Sequence, residues 1–375
     1  MGSVLSTSFA SSIPPLADFL PPTPEAYSFL LSTFQYFPVV TIAQWLLPYH
    51  PAGKTSLPSK TTRLNFPGPL AWFVMEIIGP LNLLYILSCL PPQLNIASLP
   101  LWNKLVAALY VIHYVNRAVI NPLFANPSMS PIHLSVALPA VLFNWFNSSC
   151  LGGWLVGYET PVLGFRTDGM SGSAFSRVSI VREVLPYVGL VLFGIGMAGN
   201  IAAERTLYRL RREEADRRYI AIANEKKKKQ EQQQQQQEPE KTHEETKNRY
   251  AKVYVVPPPK GLYRSILYPH YVFEWLEWLG FALAGTAVFP SRKPALIPSS
   301  HATPPIRNLA PWLVPAARLA EWLRVPLPLP AVVFCVNAVA NMLPHARWGR
   351  RWYVEKFGEE AVKGRGAVVP WVKCL

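Results

Sequence analysis

The chain carries little charge for its length. Of its 375 residues only 15% are charged, whereas 50% are hydrophobic and 12% are aromatic. Soluble globular domains carry about 25% charged residues, so this composition argues against an ordinary soluble protein. No G-x-G-x-x-G segment follows a predicted strand, which excludes a Rossmann dinucleotide-binding domain.

Cysteine is also scarce. The four cysteines (Cys89, Cys150, Cys335 and Cys374) lie far apart and include no C-x-x-C pair, so neither a metal site nor a disulfide framework is indicated. Cys374 is next to last, which does not fit a prenylation box. The first 25 residues are rich in serine and proline and lack a basic n-region, so we predict no cleavable signal and expect the first span to direct insertion.

What the chain does contain is a series of long apolar runs. Runs of about 18 or more apolar residues predict membrane-spanning helices. We therefore predict an all-α, multi-pass integral membrane protein with about seven spans in a compact bundle. The spans fall at about 27–47, from about 70 onward, and at about 101–120, 132–151, 183–203, 261–285 and 331–343, with a glycine-rich turn at Gly152-Gly153-Trp154 after the fourth.

The chain divides into four parts. Residues 1–25 are predicted to be a mobile segment, residues 26–212 hold spans one to five, and residues 257–375 hold the last two spans and a basic tail. Residues 213–256 form a low-complexity insertion rich in lysine and glutamine, which cannot bury enough apolar surface to fold alone. The proline-rich connection before the last span contains a candidate interfacial helix, APWLVPAARLAEWLRV.

The net charge of +14 comes largely from a few clusters. With seven spans, the clusters at 54–63, 205–260 and 347–373 fall on one side of the membrane. The positive-inside rule then places that side, with the C-terminus, in the cytosol. The basic residues therefore indicate topology rather than nucleic-acid binding.

One face of the sixth span is polar. His270, Glu274 and Glu277 lie at positions i, i+4 and i+7, which share a helical face. Because an ionised carboxylate costs ~3 kcal/mol at mid-bilayer, this face predicts a ligand site inside the bundle. The alternative is a pair of interfacial carboxylates near a helix end.

Further polar side chains interrupt the other spans. They are Glu76, Tyr114, Arg117, Asn200 and Glu204. Such residues usually face the bundle interior, and their position beside the basic tail favours an anionic ligand entering from the cytosol. Because its sequence neighbours are apolar, the Glu76 carboxyl could keep its proton and donate a hydrogen bond to a substrate that approaches from the bilayer.

Several segments resemble the membrane-embedded steroid 5α-reductases, in the same order. They are AWFVMEI (71–77), HYVNR (113–117), GIGMAGNIAAERTLYRLRR (194–212), GLYRSILYPHYVFEWLEWLGFALA (261–284) and RRWYVEKFGEEAVKGRGAVVPWV (350–372). The last of these is the most specific. The segments cover every predicted span except the first and most of the fourth.

The resemblance implies NADPH-dependent reduction of a conjugated enone. Glu76 and Tyr114 match the residues that hold the ketone oxygen in that family, which makes chemical sense because hydride addition builds negative charge there. Trp72 and Trp278 match positions that line the flat substrate pocket, although core packing or anchoring at the bilayer interface would also explain each tryptophan.

The resemblance also implies a cofactor-binding set. Asn200, Arg211, Glu274 and Tyr353 match directly, and Glu204 and His270 stand where the family usually has Asp and Asn. Two arginines have alternative roles. Arg117 either binds the cofactor or pairs with a buried carboxylate, and Arg365 either reaches a phosphate or marks the cytosolic interface. No metal is implied.

Departures from the family pattern leave the substrate open. Met75 replaces a common Gln, Gly349-Arg350 replaces a His pair, and no Arg or Lys occurs between Arg117 and the fourth span. We expect an endoplasmic-reticulum enzyme acting on a steroid-like enone taken from the bilayer. A polyprenol or long-chain enoyl-thioester reductase is the first alternative. A non-catalytic scaffold or carrier, or a relative of membrane methyltransferases, is the second. The oligomeric state is open.

Overall fold

A computed structural model describes residues 13–47, 63–158, 161–165, 180–233, 248–288 and 303–372 of the chain. Its architecture is helical, as the long apolar runs predict. The helices are α1 (Pro24–Phe34), α2 (Phe37–Leu46), α3 (Gly68–Gln93), α4 (Leu101–Tyr114), α5 (Leu134–Val156), α6 (Ile180–Gln233), α7 (Pro269–Ala284), α8 (Val314–Leu323), α9 (Leu329–Phe357) and α10 (Glu359–Val362). A π-helix over Val115–Ala125 continues α4 without a break.

Sheet structure in the described residues is confined to one pair of short strands. β1 (Asn65–Phe66) pairs antiparallel with β2 (Ile132–His133), with Asn65 opposite His133. The pair joins the beginnings of α3 and α5, so these two helices start side by side. The fold is an all-α membrane protein, as predicted from the sequence.

Five helical stretches within the described ranges are long and apolar enough to cross a membrane. They are Pro24–Leu46, Gly68–Gln93, Leu134–Val156, Ile180–Lys228 and Leu329–Phe357. The predicted third span corresponds to α4 with its π-helical continuation, and the sixth corresponds to α7, which has 16 residues. Neither is among these five stretches, so the predicted count of seven is not confirmed.

The predicted turn at Gly152-Gly153-Trp154 is wrong. All three residues lie inside α5, which continues to Val156 and ends at Gly157 with a left-handed φ of 118°. The glycines serve packing instead: a Cβ on Gly152 would lie 2.8 Å from the Ile86 side chain, and one on Gly153 would lie 2.6 Å from the Tyr27 ring. Small residues are common where membrane helices approach closely, and a glycine pair is therefore a weak turn signal there.

Helices α6 and α7 pack backbone against backbone. A Cβ on Gly196 would lie 2.4 Å from the backbone nitrogen of Glu277, and one on Gly280 would lie 2.3 Å from that of Phe193. Gly189 is equally close to Ala284. This contact fixes the carboxylate-bearing helix α7 against α6, and it accounts for Gly196 in the GIGMAGN segment.

Some predicted features extend beyond the described residues. The mobile segment at 1–25 is described only from residue 13, and α1 begins within it at Pro24. The basic cluster at 54–63 is described only at Arg63, and the insertion at 213–256 is described except at 234–247. Its first part, 213–233, is the end of α6. The candidate interfacial helix is α8, which exposes Leu319 and Trp322.

Candidate active site

Arg117 connects two buried carboxylates. Its Nε lies 3.2 Å from Oε1 of Glu76 on α3, and its Nη1 lies 3.2 Å from Oε2 of Glu274 on α7. Glu76 is 7% exposed and Glu274 is 4% exposed. Breaking such a pair by removing one partner leaves an uncompensated charge, so Arg117 holds α3 and α7 together through its own helix.

The π-helix places Arg117 at this position. It runs from Val115 to Ala125 and includes Pro122, which cannot donate a backbone hydrogen bond. From the same π-helix Asn121 donates from Nδ2 to Oε2 of Glu204 at 2.8 Å, and the Tyr208 hydroxyl donates to its Oδ1 at 2.7 Å. Sequence analysis missed Asn121, since an asparagine beside a proline signals only a loop.

Asn200 joins the same cluster from α6. Its Nδ2 donates to Oε2 of Glu274 at 3.2 Å, so this oxygen accepts hydrogen bonds from both Asn200 and Arg117. Four predicted site residues from four helical segments therefore form one connected group: Glu76, Arg117, Asn200 and Glu274. Glu204 is connected to the π-helix through Asn121.

Tyr114 reaches Glu76 through a third side chain. Its hydroxyl donates to Oδ1 of Asn144 on α5 at 2.8 Å. The Nδ2 atom of Asn144 donates to the Met75 carbonyl at 2.8 Å and lies 3.4 Å from Oε2 of Glu76. Asn144 was not predicted as a site residue, although a polar side chain in the middle of an apolar span is itself a functional signal.

The two predicted pocket tryptophans have different surroundings. The Trp72 indole donates from Nε1 to the Arg117 carbonyl at 3.2 Å, and the Arg117 guanidinium carbon lies 5.2 Å from the Trp72 ring centroid. A cation held at this distance above an indole is attracted by the ring. Trp278 is only 1% exposed and packs between His113 and Phe334, with ring centroids 4.4 and 4.3 Å away.

His113 and Glu277 form a second buried pair. Nδ1 of His113 lies 2.8 Å from Oε1 of Glu277, and both side chains are almost completely buried. His113 precedes Tyr114, and its ring packs against Trp278 at a tilt of 56°. Glu274 and Glu277 therefore lie on one buried face of α7, as their spacing predicts, but they have separate partners. His270, at the start of the helix, is half-buried beside Tyr271.

Arg211 and Arg365 lie apart from this group and bind backbone carbonyls. Arg211 donates to the carbonyls of Val253 and Ser128 at 3.0 and 2.9 Å. Arg365 donates to the carbonyls of Val362, Pro257 and Tyr263 at 2.9, 2.9 and 3.0 Å. Burial lowers the pKa of the Arg365 guanidinium from its usual range. In this structure both arginines hold loops in place.

Tyr353 on α9 is buried and lies beside Tyr268, with ring centroids 6.2 Å apart. Its helix therefore faces the segment that leads into α7. No group of three or more His, Cys, Asp or Glu side chains that could hold a metal ion occurs within the described part of the chain.

Comparison with known proteins finds relatives that cover most of the chain. No protein-family model matches the chain. A protein of Schizosaccharomyces pombe named only as uncharacterized is 28% identical over 357 residues, covering 92% of this chain and 99% of that protein. Steroid 5-alpha-reductase DET2 of Arabidopsis thaliana is 26% identical and covers 81% of each chain.

An animal relative also covers most of the chain. The 3-oxo-5-alpha-steroid 4-dehydrogenase 1 of Rattus norvegicus is 21% identical over 309 residues, covering 82% of each chain. Named plant and animal relatives thus each cover more than four-fifths of the sequence. These similarities support a place for the chain in the steroid 5-alpha-reductase family.

Proposed function

We propose that this protein catalyses NADPH-dependent reduction of the carbon–carbon double bond of a conjugated enone, with a lipid of the 3-oxo-4-ene steroid type as substrate. The observation that carries the proposal is the buried group around Arg117, which connects Glu76 with Glu274 and Asn200. Glu76 and Tyr114 are the residues proposed to act on the substrate, and Asn200 and Glu274 are proposed to act on the cofactor.

The donor set suits a nicotinamide cofactor. Asn200 and Glu274 offer an amide and a carboxylate side by side, which can pair with the donor and acceptor of a carboxamide. Phosphates need cations, and α6 continues from Asn200 into a run with six arginines: Arg205, Arg209, Arg211, Arg212, Arg217 and Arg218. His270, Glu204, Tyr353 and Arg117 complete the proposed cofactor set, whereas Arg365, which donates to three backbone carbonyls, is proposed to be structural. NADPH, when bound, would supply a hydride to the β-carbon of the enone, and a proton from solvent would complete the reduction at the α-carbon.

The chain's own residues stabilise the charge that develops on the ketone oxygen. Hydrogen-bond donors aimed at such an oxygen in a water-poor site contribute several kcal/mol of transition-state stabilisation, about 3 for a single donor. Tyr114 supplies a phenolic O–H, which donates to Asn144 in this structure and turns to the ketone oxygen when substrate is bound, and Glu76 supplies an O–H when it carries a proton. Because one guanidinium serves two carboxyl groups here, a proton on Glu76 makes the group of Glu76, Arg117 and Glu274 electrically neutral.

Access from the membrane fits an apolar substrate. Trp72 is half-buried beside Glu76 and Arg117, next to a separate apolar cluster of Ala71, Met75 and Ile132. Trp278, whose ring centroid lies 6.5 Å from that of Tyr114, is proposed to bound the pocket from within. We place the protein in the endoplasmic reticulum, as the family resemblance implies. Its C-terminus is proposed to lie in the cytosol, which the basic cluster at 347–373 favours.

The direct test is NADPH oxidation by the full chain purified in detergent. A 3-oxo-4-ene steroid is compared with a long-chain enoyl thioester and a polyprenol-type substrate. Oxidation with the steroid, lost in Glu76→Gln, supports the proposal. Turnover of the thioester or the polyprenol alone would keep the reductase chemistry and refute the substrate class. Failure to bind NADPH would refute the reductase.

A further inference from the structure

Asn144 is the side chain that joins the two proposed catalytic residues. Tyr114 belongs to α4 and Glu76 belongs to α3, and Asn144 reaches both from α5. Tyr114 and Asn144 are 3% and 4% exposed, so bulk water does not satisfy these groups. The relative position of Tyr114 and Glu76 therefore depends on a residue from a third helix.

The amide of Asn144 fits its surroundings in one orientation only. Its Oδ1 accepts the Tyr114 hydroxyl proton, while its two N–H groups face the Met75 carbonyl and Oε2 of Glu76. Rotation of the amide by 180° would turn its oxygen toward two other acceptors. Since an amide has donors only on nitrogen, the hydrogen-bond network fixes the side chain.

The carbonyl of Met75 anchors this arrangement to the backbone. It is the shortest contact that Nδ2 makes, at 2.8 Å, and Met75 directly precedes Glu76 in α3. Displacement of Asn144 would therefore also release the backbone turn that carries Glu76. A buried amide with three partners is far more constrained than a surface asparagine.

One turn further along α5, Asn147 provides a contrast. It is completely buried, and its Nδ2 donates to the Tyr110 hydroxyl at 3.3 Å rather than to a proposed catalytic residue. The two asparagines share residue type, helix and burial. They differ in whether they contact Glu76 and Tyr114.

We propose that Asn144 is a positioning residue, which holds the Tyr114 hydroxyl and the Glu76 carboxyl in the separation that the ketone oxygen requires. The inference rests on the proposed enone reduction and identifies the residue that positions the two groups proposed to act on the ketone oxygen. Small displacements of reacting groups carry large rate penalties, about 100-fold for about 1 Å. Loss of Asn144 should therefore lower kcat rather than cofactor affinity.

The test compares Asn144→Leu and Asn144→Asp with the matched control Asn147→Leu in the full-length protein. For each we would measure kcat and KM with the 3-oxo-4-ene steroid, the Kd for NADPH, the pH dependence of kcat and the thermal midpoint.

We expect Asn144→Leu to lower kcat about 100-fold. Its Kd for NADPH should stay within about twofold of wild type, because Asn144 contacts neither Asn200 nor Glu274 in the described structure. Asn147→Leu should keep kcat within about threefold.

Asn144→Asp, which hardly changes the shape of the side chain, gives a pH signature. The ionised aspartate still accepts from Tyr114 but places a second negative charge beside Glu76 and removes the N–H donors. Its kcat should therefore rise toward acid pH, along a limb that wild type lacks. If Asn144→Leu fails to fold, Asn144→Asp still tests whether Asn144 positions Tyr114 and Glu76.

Three results would overturn the inference: kcat within threefold of wild type in both Asn144 variants, an equal loss in Asn147→Leu, or an Asp profile that superimposes on wild type. In each of these cases, turnover of the enone by the wild-type protein would still support the proposed reductase. If the wild-type protein oxidised NADPH with none of the enones tested, both proposals would be refuted together.

Discussion

Glu76 and Glu274 share one counter-ion, the guanidinium of Arg117, although they lie on helices separated by almost 200 positions in the sequence. The distances are equal at 3.2 Å, so neither carboxylate is the sole partner of the arginine. The residue proposed to act on the substrate and the residue proposed to act on the cofactor are therefore joined by a single side chain.

Arg117→Lys is expected to break this connection. An ammonium is a compact point charge, whereas a guanidinium presents donors on opposite sides, so lysine cannot bridge both carboxylates in the same way. We expect a loss of about 3 kcal/mol in the free energy of unfolding for Arg117→Ala, and a smaller loss for Arg117→Lys. Thermal unfolding in detergent measures both. A fully stable Arg117→Ala variant would contradict the buried bridge.

Glu76→Gln and Tyr114→Phe should affect turnover and spare the cofactor. Each removes or weakens one donor at the developing enolate oxygen, which is expected to cost about 100- to 1,000-fold in kcat. NADPH Kd should change by less than about twofold, because neither side chain is proposed to contact the cofactor. Steady-state kinetics and equilibrium NADPH binding separate the two effects. Wild-type turnover in Glu76→Gln would remove Glu76 from the mechanism.

Asn200→Ala and Tyr353→Phe should show the reverse pattern. Asn200 contacts Glu274, and Tyr353 faces the segment that leads into α7, so both belong to the proposed cofactor side. Loss of one hydrogen bond to a bound ligand costs about 1 kcal/mol or more, which corresponds to at least about a fivefold weaker NADPH Kd. Fluorescence titration of NADPH measures it. Unchanged NADPH affinity in both variants would overturn the assignment of Asn200 and Tyr353 to the cofactor.

Gly196→Ala tests the contact between α6 and α7. The added Cβ would lie 2.4 Å from the Glu277 backbone nitrogen, so the helices must separate. We expect a loss of about 2 kcal/mol in stability, the usual cost of overpacking, together with a loss of turnover as Glu274 and Glu277 shift. Gly194→Ala is the matched control, because its Cβ would meet no atom within 4 Å. Equal effects in the two variants would mean that this contact does not position α7.

Arg365→Ala distinguishes the two roles predicted for that arginine. Three backbone carbonyls accept its hydrogen bonds at 3.0 Å or less, and its loss leaves them without these donors. At about 1 kcal/mol for each bond, we expect about 3 kcal/mol of destabilisation, with NADPH Kd of the folded fraction unchanged. A stable variant with much weaker NADPH binding would instead assign Arg365 to a phosphate.

Sequence reasoning located the polar groups of the site better than their partners. The spacing of Glu274 and Glu277 determines their common face on α7, because helical periodicity is a local property. The pairing of Glu277 with His113, and of Glu76 with Arg117, depends on how four helices pack, and the sequence carries no such distances. Asn144 and Asn121 were missed for the same reason, since an isolated asparagine has no spacing pattern.

Local signals also misled where packing decides the structure. Gly152 and Gly153 carry the sequence signature of a turn, yet close approach to Ile86 and Tyr27 keeps them in a helix. The π-helix after Tyr114 was not predicted, because its composition does not differ from that of an ordinary helix. The strands of two residues each at 65–66 and 132–133 are too short to produce an alternating pattern.

The length of α6 has an electrostatic consequence. Lys226, Lys227 and Lys228 lie 22 or more residues beyond Glu204 on the same continuous helix, which corresponds to about 33 Å at 1.5 Å per residue. At physiological ionic strength the Debye length is about 8 Å, so solvent screens these exposed lysine charges over about four such lengths. The charged group around Arg117 is therefore electrically isolated from them, and neutralising them by acetylation would leave the field at Glu76 unchanged.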